Sequence, residues 1–102
     1  MYIILWEYIV RAGHEAEFEK IYGVRGDWVK LFEQGEGYLG TDLVRIPDTL
    51  RHYFTIDHWS SFKAYETFHK QYRAAYRALD ARCQSLTEDE KWIGAGDIYS
   101  AT

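Results

Sequence analysis

With 102 residues the chain is sized for a single domain, 1–102, that buries about 60–70% of the surface its unfolded form exposes. A formal net charge of −4 and a pI near 5.5 run against nucleic-acid binding, which needs a basic surface, and no uncharged run approaches the length that spans a bilayer, so neither nucleic acid nor membrane is an expected partner. A lone Cys83 has no intrachain partner, which makes a cytoplasmic protein the default expectation.

The opening MYIILWEYIV has neither a basic leader nor a small-residue cleavage site and carries Glu7, so it reads as a strand and not as a signal peptide. Residues 2–11 place Tyr2, Ile4, Trp6, Tyr8 and Val10 on one face and Ile3, Leu5 and Ile9 with Glu7 on the other, the pattern of a strand covered on both sides. After the turn at Ala12-Gly13-His14, the spacing of Phe18, Ile21 and Tyr22 predicts a helix with acids in its first turn. Asp27 starts a second helical piece with Trp28, Leu31 and Phe32 on its apolar side, ended by Gly35-Glu36-Gly37. Tyr38–Ile46 and Arg51–Trp59 read as an antiparallel hairpin around Pro47-Asp48-Thr49-Leu50.

From Phe62, apolar residues recur three or four apart through Tyr65, Phe68, Tyr72, Tyr76, Leu79, Cys83 and Leu86, which predicts one long amphipathic helix capped by Ser60 or Ser61. Thr87–Lys91 reads as a solvated connection, and Trp92–Ser100 as a short last strand. The order β-α-β-β-α-β is the α+β ferredoxin-like arrangement, a four-stranded antiparallel sheet with its helices on one face. The other face would carry Ile3, Leu5, Ile9, Phe54 and Ile56, an apolar surface that a homodimer with two sheets face to face would cover.

The chemistry-bearing residues are few. His52 and His58 lie six residues apart, roughly 20 Å along a strand, too far to share an ion, and no His-x-x-x-His or Cys-x-x-Cys pattern occurs, so no metal is expected. The serines lack a nucleophile-elbow context, and the glycines form no phosphate-cradling loop. What remains is a surplus of rings, 18% of the chain, around one strand-end carboxylate. Tyr53, Thr55, Asp57 and Trp59 share a strand face and should meet Tyr65, Phe68 and Tyr72, with Trp6 and Tyr8 alongside. Two readings stand at this point: an aromatic core with Asp57 tied down as an anchor, or a cavity that stacks a flat molecule while a buried, basic Asp57 exchanges a proton with it.

Tyr38-Leu-Gly-Thr41 after a helix, Ile56-Asp-His-Trp59 followed by Ala64-Tyr65 and Phe68, and Gly26-Asp-Trp28 with Leu31-Phe32 together resemble the antibiotic-biosynthesis monooxygenase family of dimeric α+β barrels, over nearly the whole chain. That resemblance implies a homodimer and a small aromatic ligand, a phenol, quinol or polyketide-like molecule, oxidised without metal or flavin. In the family's polyketide oxygenases the pocket uses an Asn, a Trp and a Tyr. Trp59 and Tyr65 match the last two, and Thr55 stands where the Asn would be. The haem-degrading branch needs an Asn, a Trp and a His where this chain has Trp6, Phe68 and Ala78, so the resemblance points away from haem breakdown. Trp59 and Tyr65 are the catalytic residues the resemblance implies, and Asp57 joins them as the base a cofactor-free oxygenation needs; from the shared face and the rings expected beside it, Trp6, Tyr8, Thr55, Phe68 and Tyr72 are the expected substrate-binding residues. The alternative is a non-catalytic dimeric binding or regulatory module on the same fold.

Overall fold

The computed structural model of the chain describes residues 1–99. Strand β1 (Tyr2–Val10) leads into helices α1 (Glu15–Tyr22) and α2 (Asp27–Phe32). The hairpin of β2 (Tyr38–Arg45) and β3 (His52–Trp59) follows, then α3 (Phe62–Gln71), α4 (Arg73–Cys83), a 3₁₀ turn (Gln84–Leu86) and β4 (Thr87–Asp97). The sheet order is β2-β3-β1-β4 and every pairing is antiparallel, the ferredoxin-like α+β arrangement.

Alternation along the central strands sorts the two faces. Tyr53, Thr55, Asp57 and Trp59 are buried on β3, as are Ile4, Tyr8 and Val10 on β1, while His52, Phe54, Ile56 and His58 between them are only partly covered. The buried set joins Phe18 and Tyr22 of α1, Trp28, Leu31 and Phe32 of α2, Phe68 of α3, and Leu79 and Cys83 of α4 in one core. At the end of β3 the chain turns where Ser60 donates its backbone N–H to Gly37 O at 2.7 Å. Ser61 then caps α3, its Oγ accepting from the Ala64 N–H at 3.1 Å. Gly37 sits at φ +90°, and a Cβ there would stand 2.5 Å from Ser60 Oγ and 2.8 Å from Ala64 Cβ, so this crossing needs a glycine.

Two expectations change. The long helix is broken at Tyr72, whose φ of −111° and ψ of 24° separate α3 from α4. Its ring stays on the apolar stripe, stacked on Phe68 with centroids 5.2 Å apart, which is why the spacing of apolar residues runs through the break unchanged. The expected loop Thr87–Lys91 is the first half of β4, with Thr87 buried opposite Val10 and Glu90 opposite Tyr8. Pairing with β1 outweighs the low strand preference of an acidic segment, a tertiary effect that local composition does not carry. Ser100, expected to end the last strand, lies outside the described residues.

Candidate active site

Register sets the inner face of the sheet in rows. Thr41, Asp57 and Ile4 stand abreast, then Leu43, Thr55, Trp6 and Trp92, then Arg45, Tyr53, Tyr8 and Glu90. Over these rows the helices leave a cavity. The sheet contributes Trp6, Tyr8, Thr41, Thr55, Asp57 and Glu90, and the helices roof it with Tyr22 of α1, Trp28 and Phe32 of α2 and Tyr76 of α4. About 350 Å³ is free of atoms when counted out to the open mouth, of which about 20 Å³ can seat the centre of a water molecule, room for an ordered water but not for a ring without side-chain movement.

Asp57 is the carboxylate on the cavity floor, 8% exposed. Burial pushes its pKa up to about 6, against the opposing pull of the Thr41 hydroxyl and the charge of His58. It is thus largely ionised at neutral pH and a stronger base than an ordinary carboxylate. Thr41 Oγ1 donates to Asp57 Oδ1 at 2.7 Å. With its one proton spent there, Thr41 must accept the Tyr38 hydroxyl 2.6 Å away, which gives a directed chain from Tyr38 through Thr41 to Asp57. Across the floor, Tyr8 OH and Thr55 Oγ1 share a hydrogen bond of 3.2 Å. Burial raises the Tyr8 phenol well above its usual value, so it stays a neutral hydrogen-bonding group. Glu90 is half-buried, its pKa raised by burial first and by Asp80 second.

Of the eight residues expected at the site, Asp57, Thr55, Trp6 and Tyr8 border this cavity. Trp59, Tyr65, Phe68 and Tyr72 stand in the packed layer beside it. Two residues along a strand is about 7 Å, enough to carry Trp59 past the cavity to the level of α3. There it is fully buried, with ring centroids of Phe68, Tyr38, Phe32 and Tyr65 at 5.1, 5.3, 5.9 and 6.0 Å. Tyr65 also packs on His69 and Tyr2, and the Tyr72 hydroxyl donates to Gln34 O at 3.3 Å. Sequence reasoning passed over Thr41, Glu90 and the roof of Tyr22, Trp28, Phe32 and Tyr76. Counting the β2–β3 hairpin register would have found Thr41, but the roof follows from how α1, α2 and α4 cross the sheet. Among the described residues no group of three or more His, Cys, Asp or Glu could hold a metal ion, and no helix is long and apolar enough to cross a membrane.

Solved structures share this fold at low identity. SnoaB, a cofactor-independent oxygenase from Streptomyces nogalater, superposes with a TM-score of 0.73 and 20% identity, over 98% of this chain and 94% of that one. The heme-degrader MhuD from Mycobacterium tuberculosis, with two hemes bound in its active site, gives 0.72 and 20%, over 100% and 99%. No curated protein matches the chain significantly. Residues 1–82 match the sequence profile of antibiotic biosynthesis monooxygenase, and the chain belongs to that family.

Proposed function

We propose that the chain is a cofactor-independent monooxygenase of a small aromatic phenol, quinol or polyketide-like substrate, with Asp57 as its base. The observation that carries this reading is a carboxylate 8% exposed, its pKa pushed up to about 6, on the floor of a cavity walled by rings. Buried carboxylates are costly, and one that borders a space rather than a cationic partner is placed for proton transfer. Asp57 removes a proton from the substrate, and the resulting electron-rich anion reduces oxygen itself and forms the new C–O bond. For an anthrone-type ring the carbon loses two hydrogens and keeps one oxygen atom as a carbonyl, and the second oxygen leaves as water, so no external reductant enters. Trp6 offers the stacking surface, and Tyr8 and Thr55 hold a substrate oxygen. Thr41, backed by Tyr38, steadies the ionised form of Asp57. Trp59, Tyr65, Phe68 and Tyr72 act one layer out, by fixing the strand end that carries Asp57. Trp6 and Tyr76 are the half-buried rings of the lining, and a flat substrate enters only if side chains there move.

The working unit in this reading is a homodimer. Ile3, Leu5, Ile9, Phe54 and Ile56 lie on the sheet face away from the core, flanked by the pairs His52–Glu7 at 2.7 Å and His58–Asp42 at 2.9 Å. Covering that face with a second copy removes the apolar surface from water. Sedimentation should give a dimer at micromolar concentration, and Ile56→Asp should dissociate it, because an unpaired charge in a desolvated interface is costly. A stable monomer of the unmodified chain would overturn the assembly.

Oxygen uptake by the purified protein with an anthrone-type phenol, with no added metal or flavin, tests the reaction. Uptake that Asp57→Asn abolishes while the fold persists is the expected result. Saturable binding of the same compounds without uptake would assign the chain to the non-catalytic binding class instead.

A further inference from the structure

The proposed reaction uses one carboxylate, and the cavity is bordered by two. Glu90 stands beside Tyr8 in the sheet, whereas Asp57 stands beside Ile4, four residues away along β1. Four residues of strand span about 13 Å, and β3 and β4 lie two strand spacings apart, about 10 Å, so the two acids enter from opposite corners of the floor. Both fields reach the same two phenols, since Asp57 and Glu90 each raise Tyr8 and Tyr76. Among the described residues no Lys, Arg or His lines the cavity. The charged groups of the lining are therefore two acids, beside neutral hydroxyl and indole N–H groups, and an anion inside it meets like charge with no cation to offset it.

We propose that Glu90 is a specificity-determining acceptor, which takes a hydrogen bond from a hydroxyl or amino group at the end of a flat ligand remote from Asp57 and turns away ligands with a carboxylate there. The inference rests on the reading that this cavity holds a flat aromatic molecule, and it does not depend on turnover. The substrate class it selects is an uncharged aromatic with hydrogen-bond donors at both ends. A neutral side chain at position 90 would accept both kinds of ligand more evenly, because discrimination between them is largely a repulsion.

Anaerobic titration calorimetry tests it with three probes: a naphthol, a naphthalenediol whose second hydroxyl lies on the far ring, and the hydroxynaphthoate with a carboxylate in that place. The unmodified protein should bind the diol at least about tenfold more tightly than the hydroxynaphthoate. Glu90→Gln should shrink that ratio by about fivefold or more, mainly by gaining hydroxynaphthoate affinity, with naphthol affinity held within about twofold. Glu90→Asp keeps the charge and should keep the rejection, which separates charge from packing. An unchanged ratio in Glu90→Gln, or an equal loss of all three probes, overturns this inference and leaves the aromatic site standing. Failure of the unmodified protein to bind any of them removes the site reading and this inference together.

Discussion

Asp57 and Trp59 lie two residues apart on the same face of β3, both buried, and their surroundings differ in kind. Around Trp59 the packing is close enough that Gly35 fits only because it lacks a side chain: a Cβ there would stand 2.7 Å from Phe68 Cδ1 and 3.2 Å from the Trp59 ring. Four aromatic rings enclose the indole, and its Nε1–H has no acceptor among the described residues, so shape and burial hold it. Around Asp57 the helices come down on Tyr22, Trp28, Phe32 and Tyr76, rings that roof a space without filling it. At one end of the strand, then, Trp59 is placed for stability while its neighbour two residues back is a group that the fold alone would not favour.

The largest effect expected is at the packed end. Trp59→Ala should cost about 3–5 kcal/mol of unfolding free energy, measured by denaturant titration, because it empties the largest fully buried side chain. A loss below about 1 kcal/mol would mean that the layer collapses around the gap and that the contrast with Asp57 is overdrawn. At the cavity end the sign reverses. The Asp57 carboxyl has a native pKa of about 6 against 3.8 for the free group. The native state therefore holds the extra proton between those values. Stability from this group is greatest below about pH 4, falls by about 3 kcal/mol as pH rises to 6, and stays reduced above it. Asp57→Asn removes the titration and still accepts from Thr41. It should raise stability at pH 7 by up to about 3 kcal/mol and flatten that slope. Destabilisation at pH 7 would show that the charged form is better solvated than its burial implies. Gly35→Ala, back at the packed end, should cost about 1–3 kcal/mol through overpacking against Phe68.

That contrast was only half legible in the sequence. Alternation placed Asp57 and Trp59 on one buried face, the helix cap fixed the turn after them, and the apolar spacing gave the helices and their side of the sheet. Alternation carries no information about depth along a strand, so Trp59, Tyr65, Phe68 and Tyr72 were expected around the same space as Asp57 although they pack beyond it. The break at Tyr72 was hidden because the stripe continues across it. Glu90 was hidden because Thr87–Lys91 has the composition of a loop and becomes strand through pairing with β1, a contact between residues some eighty positions apart. The roof residues were recognised as apolar, but which of them leave space is decided by helix placement to within an ångström or two, which periodicity does not encode.

The smallest effects expected concern the proposed reaction, and test whether Asp57 is its titrating base. Its hydrogen bond from Thr41 favours the ionised form, so Thr41→Val, which keeps the shape and removes the hydroxyl, should push the carboxyl further up. The low-pH limb of kcat/KM, which reports the free protein's essential base, should then move to higher pH by about one pH unit. Tyr38→Phe leaves the Thr41 donor in place and withdraws only the hydroxyl that polarises it, so the limb should move the same way by a few tenths, roughly. The graded order, Thr41 before Tyr38, follows from the direction in which the chain of protons runs. A limb that stays fixed in Thr41→Val would assign the titration to another group at the cavity, with Glu90 the first to test by Glu90→Gln. Equal shifts from the two variants would mean that Tyr38 acts by packing around Trp59, and the boundary between the packed layer and the cavity would then lie closer to Asp57 than the hydrogen bonds place it.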